Sequence, residues 1–467
     1  MGREWSAKQL AVFDDVENGE GHTVVLARAG SGKTTVVLES LSRVPAGHQT
    51  LMVAFNKKIA TELQSRAGAG VRADISTLHS YGLKTVTRGL GRLRIDGDRT
   101  WKLADKHIDD TYQESPYLYR SSLCKVVGLA KGSLISTETG IDQLVDSFGI
   151  DTYGTSSEQF CRDVLTLLKI SEQPEDGCID FDDMIWLPHV LDLKPQTYDR
   201  VFIDETQDLN AAQLSLALKA CNPNGRICAV GDNRQAIYAF RGADRSAISN
   251  IIETLDAKTL PLSITYRCAQ SIVREAQKIV PDLEAAPGAP EGEVAEGSVE
   301  DAQAGDFIIS RTNAPLVKAC LRFLRKGQRA TIIGRDIGKQ LVAFIKKSKA
   351  ETVGDLRKFV DQWENDEIER LSEKRRSTEL VEDRAATIRV ISDGASSVKE
   401  VQDAIEDLFD ERYSSDRVVL CSTHKAKGLE NDRVFLVTNT YRKRAEEEED
   451  NLWYVAVTRA KTTLVKG

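Results

Sequence analysis

Apolar positions along this chain alternate between two regimes. Short apolar runs at residues 23–26, 50–55 and 75–78 are separated by helix-compatible sequence, and similar runs return in RVFIDE (200–205) and RICAVGD (226–232). Strands punctuated by helices predict an α/β unit with a parallel sheet. Between about 83 and 175 the pattern changes to polar, helix-compatible sequence with few β-branched runs, which predicts a helical insertion. A Pro/Gly-rich stretch at 284–297 predicts a surface linker or long loop. Beyond it DFIISRTN (306–313) predicts a strand and turn, and LVKACLRFLRKG an amphipathic helix with Leu316, Cys320, Leu321 and Leu324 on one face. A strongly charged helical region covers about 338–415, and strands return at RVVLCST (417–423) and RVFLVTN (433–439). The run EEEED (446–450) is expected to be an exposed loop. Two α/β blocks, each interrupted by a mainly helical insertion, suggest duplication of a nucleotide-binding core. The expected boundaries are 1–85 with 176–262, insertion 86–175, then 263–337 with 416–467, insertion 338–415.

The strongest local signal lies where the first apolar run meets its helix, in HTVVLA-RAGSGKTT-VVLE (22–39). Gly30 and Gly32 let backbone N–H groups turn inward around a polyphosphate, and Lys33 reaches its outer phosphates. The Thr34 hydroxyl can ligate Mg²⁺ while the following helix N-terminus favours negative charge. The strict pattern G-x-x-x-x-G-K-[ST] would begin with Gly at position 27, where this chain has Ala27.

Composition narrows the setting. With 467 residues, 41% of them hydrophobic and 29% charged, the chain reads as a globular protein of several domains. No apolar run approaches the roughly 18 residues of a membrane span, and the N-terminus lacks a signal-type apolar region, so a cytoplasmic location without a membrane partner is expected. The eight cysteines are scattered without a C-x-x-C pair, which predicts free thiols and argues against a zinc or iron–sulfur site. A net charge of −8 argues weakly against nucleic acid, because a local basic groove can sit on an acidic body.

A phosphate cradle needs an acidic partner on a neighbouring strand, and VFIDETQD supplies it. Asp204 suits the metal shell, and Glu205 can orient or deprotonate an attacking water. Charge on a transferring phosphoryl group also calls for cations, for which Arg267 in LSITYRC and Arg459 in LWYVAVTRAK stand in suitable contexts.

Taken in order, these stretches resemble the UvrD/Rep family of superfamily 1 DNA helicases, over residues 9–461. Gln9 in WSAKQLAV resembles the adenine-reading Q motif, ARAGSGKTT motif I, AFNKKIA (54–60) motif Ia, and TLHSYG (77–82) the next DNA-contacting motif. DETQD is similar to motif II, VGDNRQAIYAFRGA (230–243) to motif III, and TYR (265–267) to motif IV. SRTN (310–313) resembles the strand motif that follows, THKAKGLE (423–430) motif V and YVAVTRAK (454–461) motif VI. A leading Ala in motif I is normal in that setting.

The resemblance implies two RecA-like P-loop domains, each with a mainly helical insertion, with ATP and Mg²⁺ bound between them and single-stranded DNA crossing both. It implies that Gln9 and Tyr266 read and stack on adenine, and that Ala29, Gly30, Ser31, Gly32, Lys33, Thr34 and Thr35 hold the phosphates. Thr34 and Asp204 would serve the metal. Gln235, Arg267 and Arg459 would sense the γ-phosphate, and Gly428 and Glu430 would lie toward the ribose. Phe55, Asn56, Lys57, His79, Tyr81, Tyr238, Phe240, Arg241, Thr423 and His424 would line the DNA path.

The expected activity is ATP-dependent 3′-to-5′ translocation on single strands with unwinding at single-strand/duplex junctions. The alternatives are an accessory ATPase that remodels protein–DNA complexes without robust unwinding and, from a third class, an RNA helicase. Replication, repair or defence proteins are the implied partners. The second insertion looks short, which gives a compact outline closer to phage-encoded and F-box-type relatives. Two positions depart from the family: Asn431 stands where an aromatic usually follows G-L-E, and Arg28 where Gly is usual. Arg28 either faces solvent or adds a cation near the phosphates.

Overall fold

The computed structural model describes residues 4–54, 57–66, 73–108, 116–238, 246–373, 377–410, 415–441 and 447–467, without the side chains of residues 58, 62 and 66. The chain forms two compact units, Met1–Arg28 with Gly32–Leu262, and Ala29–Ser31 with Ser263–Gly467.

The first unit is built on a six-stranded parallel sheet. Its order is Asp74–Thr77, Thr50–Ala54, Tyr198–Ile203, Cys221–Gly231, Thr23–Ala27, Lys258–Leu262. Strand side chains alternate between faces, so neighbouring apolar residues feed two separate cores. Val24, Leu51, Val53, Val201 and Ile203 enter one core. Val25, Met52, Ala54 and Phe202 enter the other, beneath Val12, Phe13 and Val36. The continuous apolar runs of the sequence are therefore strands buried on both sides, each large side chain contributing about 1.5–3 kcal/mol.

Between Asp74–Thr77 and Tyr198–Ile203 the chain forms the helices Leu78–Leu90, Arg99–His107, Pro116–Ser133, Glu138–Phe148, Ser157–Ser171 and Phe181–Val190. They enclose a core of their own around Leu123, Val127, Phe160 and Leu167. Arg99 and Lys131 are buried within it and held by shared carboxylates, Asp183 lying 2.8 Å from Arg99 and 2.7 Å from Lys131.

The second unit carries a seven-stranded parallel sheet. Its order is Glu293–Glu296, Ala460–Lys466, Asn431–Leu436, Phe307–Ser310, Val418–Ser422, Ala330–Ile333, Phe409–Asp410. Alternation again divides the residues: Ile308, Leu420 and Phe435 pack on one face, Phe307, Ile309, Val419 and Leu436 on the other. The charged region after residue 334 forms helices Arg335–Lys347, Val353–Glu373, Glu379–Ser392 and Val398–Leu408. Their apolar faces join the first of these cores through Ile345, Leu356, Ile388 and Ile405.

Three local expectations are corrected. Helix Ala314–Arg325 buries Leu316, Cys320 and Phe323, whereas Leu324 is 45% exposed. Position 323 falls two helical turns from 316, and 324 is rotated off that stripe. The stretch at 284–297 is not only a loop, since Glu293–Glu296 pairs along Ala460–Lys466 as an edge strand. The acidic run belongs to helix Glu447–Val457, where acids in the first turn complement the helix dipole; Glu449 is buried and accepts a 3.0 Å bond from Arg311 Nε, while Glu446 lies outside the described residues. Among the described residues no helix is long and apolar enough to cross a membrane.

Candidate active site

Strand Thr23–Ala27 ends in the Gly-rich turn, and helix Lys33–Ser42 follows immediately. Gly30 and Gly32 adopt φ of +74° and +80°, a left-handed conformation that residues with a Cβ avoid, so the turn folds tightly enough to aim its N–H groups inward. Ser31 Oγ is buried without a hydrogen-bond partner among the described residues, its bonding capacity unused. Lys33 is the first residue of the helix, with Thr34 and Thr35 half-buried in its first turn. Gln9 approaches from helix Ala7–Asn18: its Oε1 accepts from Ser6 N at 3.0 Å to complete a capping box, and its Nε2 stands 3.9 Å from where a Cβ on Gly32 would lie.

The acidic half comes from the end of strand Tyr198–Ile203. Asp204 is buried, and its Oδ1 accepts Glu205 N at 2.9 Å. Glu205 has φ +49° and ψ +44°, a left-handed conformation at a non-glycine residue of the kind held in place where function needs it. Its Oε1 accepts Lys33 Nζ at 2.7 Å. Burial acts to lower the Lys33 pKa, but Glu205 and Asp204 outweigh it and the net shift is upward, keeping the ammonium charged. Burial, with repulsion from Glu205, pushes the Asp204 carboxyl up to about 7. Two adjacent carboxylates with a single lysine make a site that gains from a further cation, so the donor set of Asp204 and Thr34 fits Mg²⁺.

Further polar residues link to this cluster through hydrogen bonds. Gln207 Nε2 donates to Glu205 Oε2, and Gln207 Oε1 accepts Asp232 N at 3.0 Å. Asp232 Oδ2 accepts Gln235 Nε2 at 2.8 Å, while Oδ1 accepts Arg28 Nη1 at 2.9 Å. Arg28 therefore neither faces solvent nor stands as a loose cation; it is buried in an ion pair. Gln207 and Asp232 were not singled out as site residues from the sequence, although both lie inside the motifs that carry Glu205 and Gln235.

In the second unit, Arg459 is 1% exposed and bonds only neutral acceptors among the described residues: Val455 O at 2.9 Å, Leu429 O at 3.1 Å and Thr458 Oγ1 at 3.1 Å. Burial, reinforced by repulsion from Arg267, lowers its pKa to about 9, which still leaves it charged near neutrality. Arg267 Nε donates to Glu430 Oε2 at 2.6 Å, and Lys461 lies 3.3 Å from the same carboxylate. Partial burial raises the Glu430 pKa, but Arg267 and Lys461 outweigh it and hold it below the ordinary value. Tyr266 presents a 50% exposed ring, and Gly428 is exposed in the turn before Glu430.

The residues expected along DNA divide into groups. Lys57 is exposed, and His79, Tyr238 and His424 are half-buried. Tyr81 is buried with its hydroxyl donated to Gln196 O, and Thr423 is buried against Tyr441. The Tyr81 ring packs in a core of the first unit. Phe55, Asn56, Phe240 and Arg241 lie outside the described residues. Sequence reading missed three exposed basic residues, Lys84 and Arg88 on helix Leu78–Leu90 and Arg92 just past it, none of which forms an ion pair among the described residues. The signal was a basic residue every fourth position.

Comparison with known proteins matches residues 8–256, more than half of the chain, to the UvrD/REP helicase N-terminal domain. Residues 316–465 match the UvrD-like helicase C-terminal domain. Similar proteins include YjcD of Bacillus subtilis strain 168, 28% identical over 298 residues, covering 57% of this chain and 37% of that protein. The ATP-dependent DNA helicase PcrA of the same strain is 27% identical, covering 57% and 38%. PcrA of Staphylococcus epidermidis strain RP62A is 26% identical, with the same coverage. These matches span well under half the length of each relative.

Proposed function

The chain belongs to the UvrD/REP helicase family, and from that footing we propose that it is an ATP-dependent DNA translocase that moves 3′-to-5′ on single strands and unwinds duplex. The observation that carries the reading is the cluster of Lys33, Asp204 and Glu205 around a Gly-rich turn ahead of a helix N-terminus. Lys33 and the loop N–H groups hold phosphates, and Glu205 positions and deprotonates the attacking water once Lys33 turns to a phosphate. Asp204 and Thr34 are the residues that would hold Mg²⁺, and the ion would there offset phosphate charge. Arg267 and Arg459 answer the charge that develops on the transferring group, and Gln9 and Tyr266 take the adenine.

Lys57, His79, Tyr238 and His424, with Lys84, Arg88 and Arg92, offer backbone charge and stacking surface to a single strand without reading its sequence. Burial holds the His79 pKa below its usual 6.5. The expected domain boundaries, with helical insertions at 86–175 and 338–415, belong to the same reading.

The test is ATP hydrolysis and strand separation with tailed duplexes of both polarities, alongside RNA counterparts. Lys33→Ala and Glu205→Gln are each expected to lose at least about 100-fold in kcat, with Glu205→Gln still binding ATP. Hydrolysis surviving in Lys33→Ala refutes the site. DNA-stimulated hydrolysis without strand separation supports the accessory ATPase instead, and stimulation by RNA alone supports an RNA motor.

A further inference from the structure

We propose that Arg28 is a positioning residue for ATP hydrolysis, clamping Asp232 so that Gln235 and, through Gln207, the Glu205 carboxylate hold their reactive orientation. This rests on the reading of the cluster as an ATP site, and assigns a role to a residue that stands where the family usually has Gly.

The argument begins with the burial of charge. The Asp232 side chain is 0% exposed, and a carboxylate so placed needs a cation and hydrogen-bond donors. Arg28 Nη1 lies 2.9 Å from both Asp232 Oδ1 and Asn233 Oδ1, bridging two consecutive side chains. Arg234 N donates to Asp232 Oδ1 at 3.1 Å and Gln235 N to Asp232 O at 2.8 Å, so a short 3₁₀ turn, Asn233–Gln235, is wound around the fixed carboxylate.

Each link of the chain is directional. A glutamine amide offers two donors at one end and an acceptor at the other, and flips freely unless a partner chooses. Asp232 Oδ2 chooses the NH₂ end of Gln235. Asp232 N chooses the oxygen of Gln207, which turns the Gln207 NH₂ to Glu205 Oε2. Close approach at this link needs a glycine: a Cβ on Gly231 would lie 2.6 Å from Gln207 Oε1. The other Glu205 oxygen accepts Lys33. The backbone of Arg28 is itself anchored, its N donating to Leu262 O at 2.9 Å. The clamp is therefore fixed at both ends, and disturbing Asp232 reaches the base through its backbone N–H and Gln207.

A residue in this role changes turnover more than nucleotide binding. Steady-state ATP hydrolysis with saturating single-stranded DNA is measured for Arg28→Met, Arg28→Lys, Asp232→Asn and the Met/Asn double variant. Arg28→Met and Asp232→Asn are each expected to lower kcat about tenfold with KM for ATP within about twofold; the double variant falls no further, and Arg28→Lys recovers part of the loss. A kcat for Arg28→Met within about twofold of wild type overturns the proposal. So does a rise in KM at constant kcat, which would mark direct phosphate contact, or losses that multiply in the double variant. If Arg28→Met fails to fold, the near-isosteric Asp232→Asn and Arg28→Lys decide alone, and unchanged kcat in both overturns it. Absence of hydrolysis in wild type refutes the ATP-site reading itself, whereas wild-type hydrolysis lost in Lys33→Ala and unaffected in the Arg28 variants refutes only the clamp.

Discussion

Arg459 and Lys33 show how single charges are held ready in this protein. Lys33 is buried with carboxylates that keep it protonated, whereas Arg459 is buried among neutral oxygens and pays in desolvation. His79 is shifted in the same direction as Arg459, by burial. Burial keeps its folded pKa below the usual 6.5, so between those two values the unfolded chain binds a proton that the folded chain resists. Its contribution to stability is present above 6.5 and is lost as pH falls through that window. Melting temperatures compared at about pH 7.5 and about pH 5.5 are expected to fall further for wild type than for His79→Gln. Equal falls would mean that the ring is not the source of the dependence.

At the scale of an element, helix Leu78–Leu90 serves two surfaces at once. One face carries Leu78, Tyr81, Thr85 and Val86 into the core; Lys84 stands exposed away from it, Arg88 stands exposed at its edge, where Nη2 donates to Gln196 Oε1 at 3.4 Å, and Arg92 is exposed just past the helix end. Removing two of those cations, as Lys84→Glu/Arg88→Glu, is expected to weaken single-stranded DNA binding and to shallow the slope of log K against log salt by about 0.7 per lost phosphate contact. Weaker binding with an unchanged slope would place these residues off the DNA path. The periodicity of this helix could be read from sequence, as could that of Ala314–Arg325 up to its last turn. Leu324 is apolar and near the stripe without lying on it, a difference that only the packed helix reveals.

Over the whole molecule, two parallel sheets each divide their side chains between two cores. Ile308→Ala, at a fully buried position of the second sheet, is expected to cost about 2–5 kcal/mol. Hydrogen exchange should show that loss in the amides of Phe307–Ser310 and its neighbours, with smaller change in the strands of the first sheet. Uniform loss across both sheets would instead mean that the two cores unfold as one.

What the sequence determined by itself was what lies close together along the chain: apolar runs long enough for strands, the glycines of the phosphate turn, the acids that end a strand, and the order of motifs. Those are properties of a few consecutive residues and need no knowledge of packing. Edge strands such as Glu293–Glu296 escaped notice because a strand with one neighbour needs no continuous apolar run. The tertiary structure alone decided that Tyr81 and Thr423 are buried and that Glu449 is a buried ion-pair partner. It also decided that Arg28 meets Asp232, a residue 204 positions away in the chain. Local pattern says which side chains carry charge or ring, but the partner that buries and neutralises a charge is chosen by how distant strands are brought side by side.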